Sequence, residues 1–452
     1  MKILLNPTIS SSQINFKQNK ADRCETKEKN NLGKLTSALL GLSVIGACGV
    51  AIYKTNFRKN ITSNDRAFYK NIIEGLKKEG INVKMESLQS VVAPDEFKTL
   101  IKKYKPEHFK AGLQISEKLA KDVSAEEFFK NAIDGKFRVS LHTHSNFSDG
   151  KATIEEFLES ATKYADKVAR MGKNDDLPPF MIALTDHDGV GGCREIIKII
   201  AKNPEKYKNL KFVSGCEFSV MNGNRHHDIT GLVLNPFEEN LNKFLDDLAN
   251  LRKKTVEDFL EKQPIYNGKK ISYNDIAEYE KQKYISQGKA GKRCIENCSG
   301  LVSVRHGVKF YYEMVGENLD HSIMNQLGNK DIMPIESVIN VIKQNGGFAS
   351  LTHPTKSFWK FMDEEFLVKL VKMGIDGIEV NHQYTPSKIT QLGKNNNNID
   401  KADDLFKEIS EKYKNFAKTH NLFISGGTDS HEKQVFSREP RITKEVLDKI
   451  YN

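Results

Sequence analysis

The chain has 452 residues, 38% of them hydrophobic and 28% charged, with six cysteines and a formal net charge of +10. So few cysteines in so long a chain exclude a disulfide-built scaffold, and the length is enough for a large core plus accessory segments. Residues 1–130 hold 23 Lys+Arg against 14 Asp+Glu, whereas residues 131–452 hold 46 against 45, which argues against a basic nucleic-acid surface on the larger part.

Residues 1–33 are polar, rich in Asn, Ser and Lys, and without periodicity, the composition of a disordered segment. Residues 35–53, LTSALLGLSVIGACGVAIY, carry no charge and lie between Lys34 and Lys54. As a helix they rise about 28 Å, close to the thickness of a bilayer's hydrocarbon core. The expectation is a single membrane-spanning helix over 34–54, with a buried globular helix as the alternative. Lys and Arg flank both sides, so orientation is not readable. The unpaired cysteines set the expectation that the remainder of the chain is anchored on the cytoplasmic side. Residues 55–134 form a helical spacer or accessory region, with Phe68, Ile72, Ile73 and Leu76 on one face and Phe97, Leu100 and Ile101 on another.

From Phe137 onward seven apolar segments have strand character: Phe137–His142, Phe180–Thr185, Leu210–Gly215, Ile229–Leu234, Gly347–Thr352, Gly377–Val380 and Leu422–Ser425. Helical patterns separate most of them, which predicts an α/β fold with a parallel sheet or a barrel wrapped by helices. The stretch 237–330 is too long for one crossover and reads as a mainly helical insertion, with Leu241–Glu261 its clearest helix.

Polar residues gather at the ends of these strands. LHTHSNFSDG over Leu141–Gly150 closes the first; His142 and His144, two apart on a strand, point to the same side and can grip one ion, with Asp149 returning from the loop. Thr185-Asp186-His187-Asp188 follows the second, Cys216-Glu217-Phe218-Ser219 the third, Thr352-His353-Pro354 the fifth, Glu379-Val380-Asn381-His382 the sixth and Thr428-Asp429-Ser430-His431 the seventh. In a parallel sheet these ends share one face, and sites are built there. No P-loop and no G-x-S-x-G elbow occurs.

This pattern resembles the polymerase-and-histidinol-phosphatase (PHP) superfamily of metal-dependent phosphoesterases. The resemblance rests on H-x-H-x-x-x-S-D-G at His142–Gly150, T-D-H-D at Thr185–Asp188, the strand end at Glu217, H-P at 353–354 and D-S-H at 429–431; it covers Phe137–His431 apart from most of the insertion, and implies a phosphoesterase domain over 135–452. It implies a distorted (β/α)7 barrel holding two or three divalent ions (Mn, Zn or Fe). Their ligands would be His142, His144, Asp149, His187, Glu217, His353, Asp429 and His431. One position departs from the family, which has a histidine in the fourth strand. Here Arg225-His226-His227-Asp228-Ile229-Thr230-Gly231 puts Asp228 at the ligand position, with His227 the alternative. A carboxylate in place of an imidazole still suits these ions.

Clustered ions acidify a shared water and clamp the oxygens of a phosphoryl transfer, so the expected activity is hydrolysis of a small phosphomonoester, such as a nucleotide or short oligonucleotide. His382, Lys356 and Arg305 are the candidates for phosphate contact or proton transfer to the leaving oxygen. The alternatives are a metal-binding regulatory module with little turnover, and a metal-dependent amidohydrolase.

Overall fold

The computed structural model describes residues 61–109, 137–171, 177–222, 225–263, 270–286, 310, 313, 332–354, 361–382 and 386–435. The disordered segment expected over 1–33, the membrane helix over 34–54, much of the insertion, Arg305 and Lys356 lie outside the described residues. Among the described residues no helix is long and apolar enough to cross a membrane.

Helix α1 (Ser63–Lys78) begins where the Thr62 hydroxyl accepts the Asp65 N–H at 3.2 Å, and buries Phe68, Ile72 and Leu76 as one stripe. Helix α2 (Pro94–Ile101) opens on a proline, which lacks the N–H that a helix start cannot satisfy, and buries Phe97 and Leu100. Then follow β1 (Val139–Ser140), α3 (Ile154–Met171), β2 (Phe180–Leu184), α4 (Gly191–Lys202), β3 (Leu210–Asn222) and β4 (Arg225–Leu232). The insertion contributes α5 (Glu239–Leu260) and α6 (Tyr273–Ser286). The chain returns through β5 (Met333–Pro334), α7 (Ile335–Gln344), β6 (Phe348–Leu351), α8 (Glu364–Met373), β7 (Gly377–His382), α9 (Pro386–Asn395), α10 (Ala402–Thr419) and β8 (Phe423–Gly427).

All seven expected strands are present, in the order β1-β2-β3-β4-β6-β7-β8, with the short, unanticipated β5 pairing β3 off this path. Every residue of β2 is buried, as expected for a parallel strand covered on both faces. The ends approach one another: Leu141 N–H donates to Gly426 C=O, Asp429 N–H to His142 C=O and His144 N–H to Ser430 C=O, each at 2.9 Å. The architecture is thus a nearly closed, distorted α/β barrel.

The sheet is not wholly parallel. β4 runs antiparallel to both β3 and β6, while β1–β2, β2–β3, β6–β7 and β7–β8 are parallel. The reason is local: β3 continues past the barrel wall and β4 pairs with it as a hairpin, from Asn222↔Arg225 back to Gly215↔Leu232. Since β4 pairs with β3 only from Gly215 on, the lower part of β3 finds another partner. Phe212 N–H donates to Ser90 C=O at 2.6 Å, and Phe212 C=O accepts from Val92 N–H at 2.9 Å.

Residues 61–109 therefore pack onto the barrel. Phe97, fully buried, sits with its ring 5.0 Å from that of Phe348 and 5.8 Å from that of Phe423. Those two residues start β6 and β8, so α2 covers the end of the barrel opposite the strand-end histidines.

Candidate metal centre

The reversed β4 explains why Asp228 precedes its apolar run whereas the other candidates follow theirs. An antiparallel strand begins at the face where its parallel neighbours end. Asp228 thereby joins His142 and His144 after β1, His187 after β2, Glu217 in β3, His353 after β6, and Asp429 and His431 after β8.

Four side chains form the deepest group. His142 Nε2 lies 3.0 Å from His144 Nε2, 3.0 Å from Glu217 Oε2 and 3.5 Å from Asp429 Oδ1; His144 Nε2 lies 3.2 Å from both carboxylates. Donors at about 2.1 Å from a tetrahedral ion stand roughly 3.4 Å apart, so these spacings fit the edges of one coordination shell. Glu217 faces two ways. Its Oε2 is also 3.3 Å from His187 Nδ1, while its Oε1 is 3.0 Å from His353 Nε2, which is 3.9 Å from Asp228 Oδ2. A third group surrounds Asp149 Oδ1, with His431 Nε2 at 3.1 Å, His187 Nε2 at 3.8 Å and His144 Nδ1 at 3.9 Å. That oxygen is buried with three imidazole nitrogens around it, a donor set that suits a cation.

The groups differ in depth. His142, His144, Glu217 and His353 are at most 1% exposed, whereas the Asp149, His187 and His431 side chains are 24–27% exposed and mark the mouth. Close backbone packing holds the deep group. A Cβ on Gly427 would lie 2.5 Å from that of His142, and one on Gly150 would lie 2.6 Å from the His144 carbonyl. His353, Asp429 and Asp188 adopt the left-handed backbone region, with φ of 28°, 49° and 46°. For non-glycine residues this costs about 1–3 kcal/mol each, a strain typical of functional sites.

The carboxylates and imidazoles of these groups shift one another's pKa values. Burial alone would lower the His142 pKa, but Glu217, Glu379 and Asp429 overcome it and hold the imidazole well above its ordinary value. For His144, burial and the neighbouring His431 pull down, yet Asp429 and Glu217 leave it raised. His431 is raised against burial by Asp149 and Asp429. Conversely, burial would raise Asp149 and Glu217, but their imidazole neighbours hold both well below the usual carboxylate range. A fold has no structural need for so many buried ionisable groups, each costly to desolvate.

The strand parity separates the two fourth-strand candidates. Asp228 faces the cluster, while His227 points to the other side and packs on the Phe366 ring at 4.8 Å. His382 does not stand where a substrate would reach it. It is fully buried behind the ligands, its Nδ1 3.2 Å from Glu379 and its Nε2 3.7 Å from Asp429 Oδ2. Phosphate contact or proton donation by His382 is therefore replaced by a supporting position.

Three supporting acids carry no mark as ligands in the sequence. Glu379 contacts His142 and His382. Asp186, whose carboxyl burial pushes up in pKa against hydrogen bonds from Ser148 and Ser145, accepts from Ser145 N–H and Ser148 Oγ at 2.7 Å and so shapes the loop that carries Asp149. Asp188 accepts from Ser219 N–H at 3.1 Å and pairs with Arg252 of α5 at 2.9 Å. The T-D-H-D phrase was the available signal for the last two, since both acids flank a ligand.

No protein-family model matches the chain. The strand order and the convergence of the strand-end motifs agree with the barrel and strand-end site that the resemblance to the PHP superfamily implies. The chain is distantly homologous to a 3′,5′-nucleoside bisphosphate phosphatase of Chromobacterium violaceum, with 33% identity over 100 residues, which span 22% of this chain and 29% of that one. The matched stretch is thus under a third of that relative. Among solved structures, a protein of Bifidobacterium adolescentis described as a metal-dependent phosphoesterase aligns with 69% of this chain and 94% of its own at 18% identity, TM-score 0.39. An amidohydrolase of Chromobacterium violaceum with bound sulfate and no metal aligns with 69% of this chain and 95% of its own at 20% identity, TM-score 0.38.

Proposed function

We propose that the chain hydrolyses a small phosphomonoester, and that 3′,5′-nucleoside bisphosphates come first among its candidate substrates. The observation that carries the reading is the two-sided placement of Glu217, whose oxygens face separate imidazole groups at distances of 3.0–3.3 Å. One carboxylate would so join two ions. His142, His144, Glu217 and Asp429 would hold one; Glu217, Asp228 and His353 a second; Asp149, His187 and His431 a third. Nitrogen and oxygen donors without thiolate suit Mn²⁺, Fe²⁺ or Zn²⁺. Such ions, when bound, supply an acidified water and neutralise phosphoryl charge. The exposed edge formed by Asp149, His187 and His431 is where a phosphate would enter. Lys356 and Arg305 remain candidates for its outer oxygens. The nucleotide assignment is drawn from the homologous phosphatase.

The test is phosphate release by the full chain with each of the three ions, on 3′,5′-nucleoside bisphosphates, 3′- and 5′-monophosphates, sugar phosphates and an amide panel. Preferential release from a bisphosphate supports the reading. Faster turnover of amides than of any phosphoester overturns it in favour of amidohydrolysis.

A further inference from the structure

The carboxylate of Glu379 touches the imidazole of one candidate ligand, His142, the backbone of a second, His353, and His382, and lies close enough to both imidazoles to share an ion with them. Its Oε2 lies 3.1 Å from His142 Nδ1 and accepts the backbone N–H of His353 at 2.9 Å, while its Oε1 lies 3.2 Å from His382 Nδ1. His382 Nε2 in turn lies 3.7 Å from Asp429 Oδ2. Glu379 is 4% exposed and His382 fully buried, so this group lies beneath the site rather than at its mouth.

A regular strand could not present these side chains together. Residues i and i+3 of a strand point to opposite faces. The pairing of β7 with β8 slips between Glu379↔Ser425 and Asn381↔Gly426, leaving Val380 as an extra residue. Such a bulge re-aims the side chains beyond it. Here it leaves Val380 in the helix-facing core and turns His382 to the same side as Glu379.

A carboxylate only accepts hydrogen bonds, so the nitrogen it faces carries the proton. Carboxylates face both nitrogens of His142, Glu217 at Nε2 and Glu379 at Nδ1, so an ion that displaced the Nε2 proton would leave the other proton on Nδ1, held by Glu379, and the Nε2 lone pair aimed at the ion. The N–H of His353 is held by the same carboxylate, at a residue whose φ of 28° needs outside support.

We infer that Glu379 is a positioning residue for the deep part of the centre, fixing the tautomer and aim of His142 and the backbone of His353, with His382 carrying the same restraint to Asp429. This rests on the metal-centre reading above. Carboxylates that orient a ligating histidine in this way are typically worth 10–100-fold in ion affinity.

The experiment compares the full chain with its Glu379→Gln variant, using Zn²⁺ and Mn²⁺ titrations against a chelator of known affinity and elemental analysis after dialysis. Circular dichroism and the melting temperature of the metal-free protein are recorded alongside. The amide keeps the shape but offers an N–H₂ where an acceptor is needed. The inference expects the tightest ion to weaken about 10–100-fold, with the weakest-bound ion unaffected, because Asp149, His187 and His431 do not touch Glu379. Glu379→Asp, which keeps the charge on a shorter arm, should recover part of the loss. It also serves as the measured variant should the amide fail to fold. Unchanged affinity in the amide variant overturns the inference, as does an equal loss at every ion, which would mark a general packing role. A wild-type chain that binds no ion at all instead overturns the metal-centre reading itself.

Discussion

Replacing Arg252 by Met should expose how strongly the insertion holds the site. Arg252 Nη1 lies 2.9 Å from Asp188 Oδ2, and the two side chains are 4% and 3% exposed. The methionine fills the same length without charge, leaving the Asp188 carboxylate buried beside His187 with only the Ser219 N–H on its other oxygen. Breaking one side of a buried pair costs about 3–5 kcal/mol, because the remaining charge is uncompensated. For a unit of roughly 390 residues, with about 2.1 cal/mol/K of unfolding entropy per residue, that is on the order of 4–6 °C in melting temperature. Asp188→Asn on the same background removes the stranded charge, so the double variant should be more stable than Arg252→Met alone. Thermal unfolding of Arg252→Met, Asp188→Asn and the double variant, each stripped of metal, measures this. A shift below about 2 °C for Arg252→Met, or strictly additive losses in the double variant, would refute the reasoning.

Two further outcomes are expected of the same structure. In metal-free protein the raised His142, His144 and His431 contribute stability below about pH 6.5 that is lost as pH rises through their folded values, whereas the depressed Asp149 and Glu217 contribute stability that is lost only in acid. Melting temperature without ions should therefore fall from pH 6 to pH 8.5, and Zn²⁺, which displaces those protons, should stabilise more at the higher pH; equal stabilisation at both would contradict this. Phe97→Ala, at the opposite end of the barrel, should cost about 3–5 kcal/mol in denaturant unfolding while leaving ion content unchanged. A loss of ions in that variant would mean that the two ends are coupled.

Most of the cluster of candidate ligands could be read from the sequence because parallel strands place successive strand ends on one face. His142, Glu217, His353 and Asp429 are far apart in the chain, yet each follows or ends an apolar run, and the fold brings them within hydrogen-bonding range. The direction of β4 was not readable, since alternation of apolar and polar residues looks the same from either end. Its one trace was the order R-H-H-D-I-T-G, with polar residues ahead of the apolar run. Asp228 and His227 are adjacent, so a single unknown, the face taken by Ile229, decided between them. The part played by Glu379, and its pairing with His382, were hidden for a different reason. Their cooperation depends on a bulge that the alternation does not announce, and a residue that only orients a ligand leaves no ligand spacing to recognise. Arg252 was hidden by distance, since its partner Asp188 sits 64 positions earlier on another element.

On the proposed reading Glu217 joins two ions in one buried centre. Elemental analysis of the full chain and of Glu217→Gln, both loaded with Zn²⁺ or Mn²⁺ and dialysed, tests it most directly. The expected result is two or three ions per wild-type chain and the loss of at least the two that share Glu217 in the variant, with phosphate release falling about 100-fold or more. A wild-type chain that retains no ion, or a variant that retains the same number as the wild type, would contradict it.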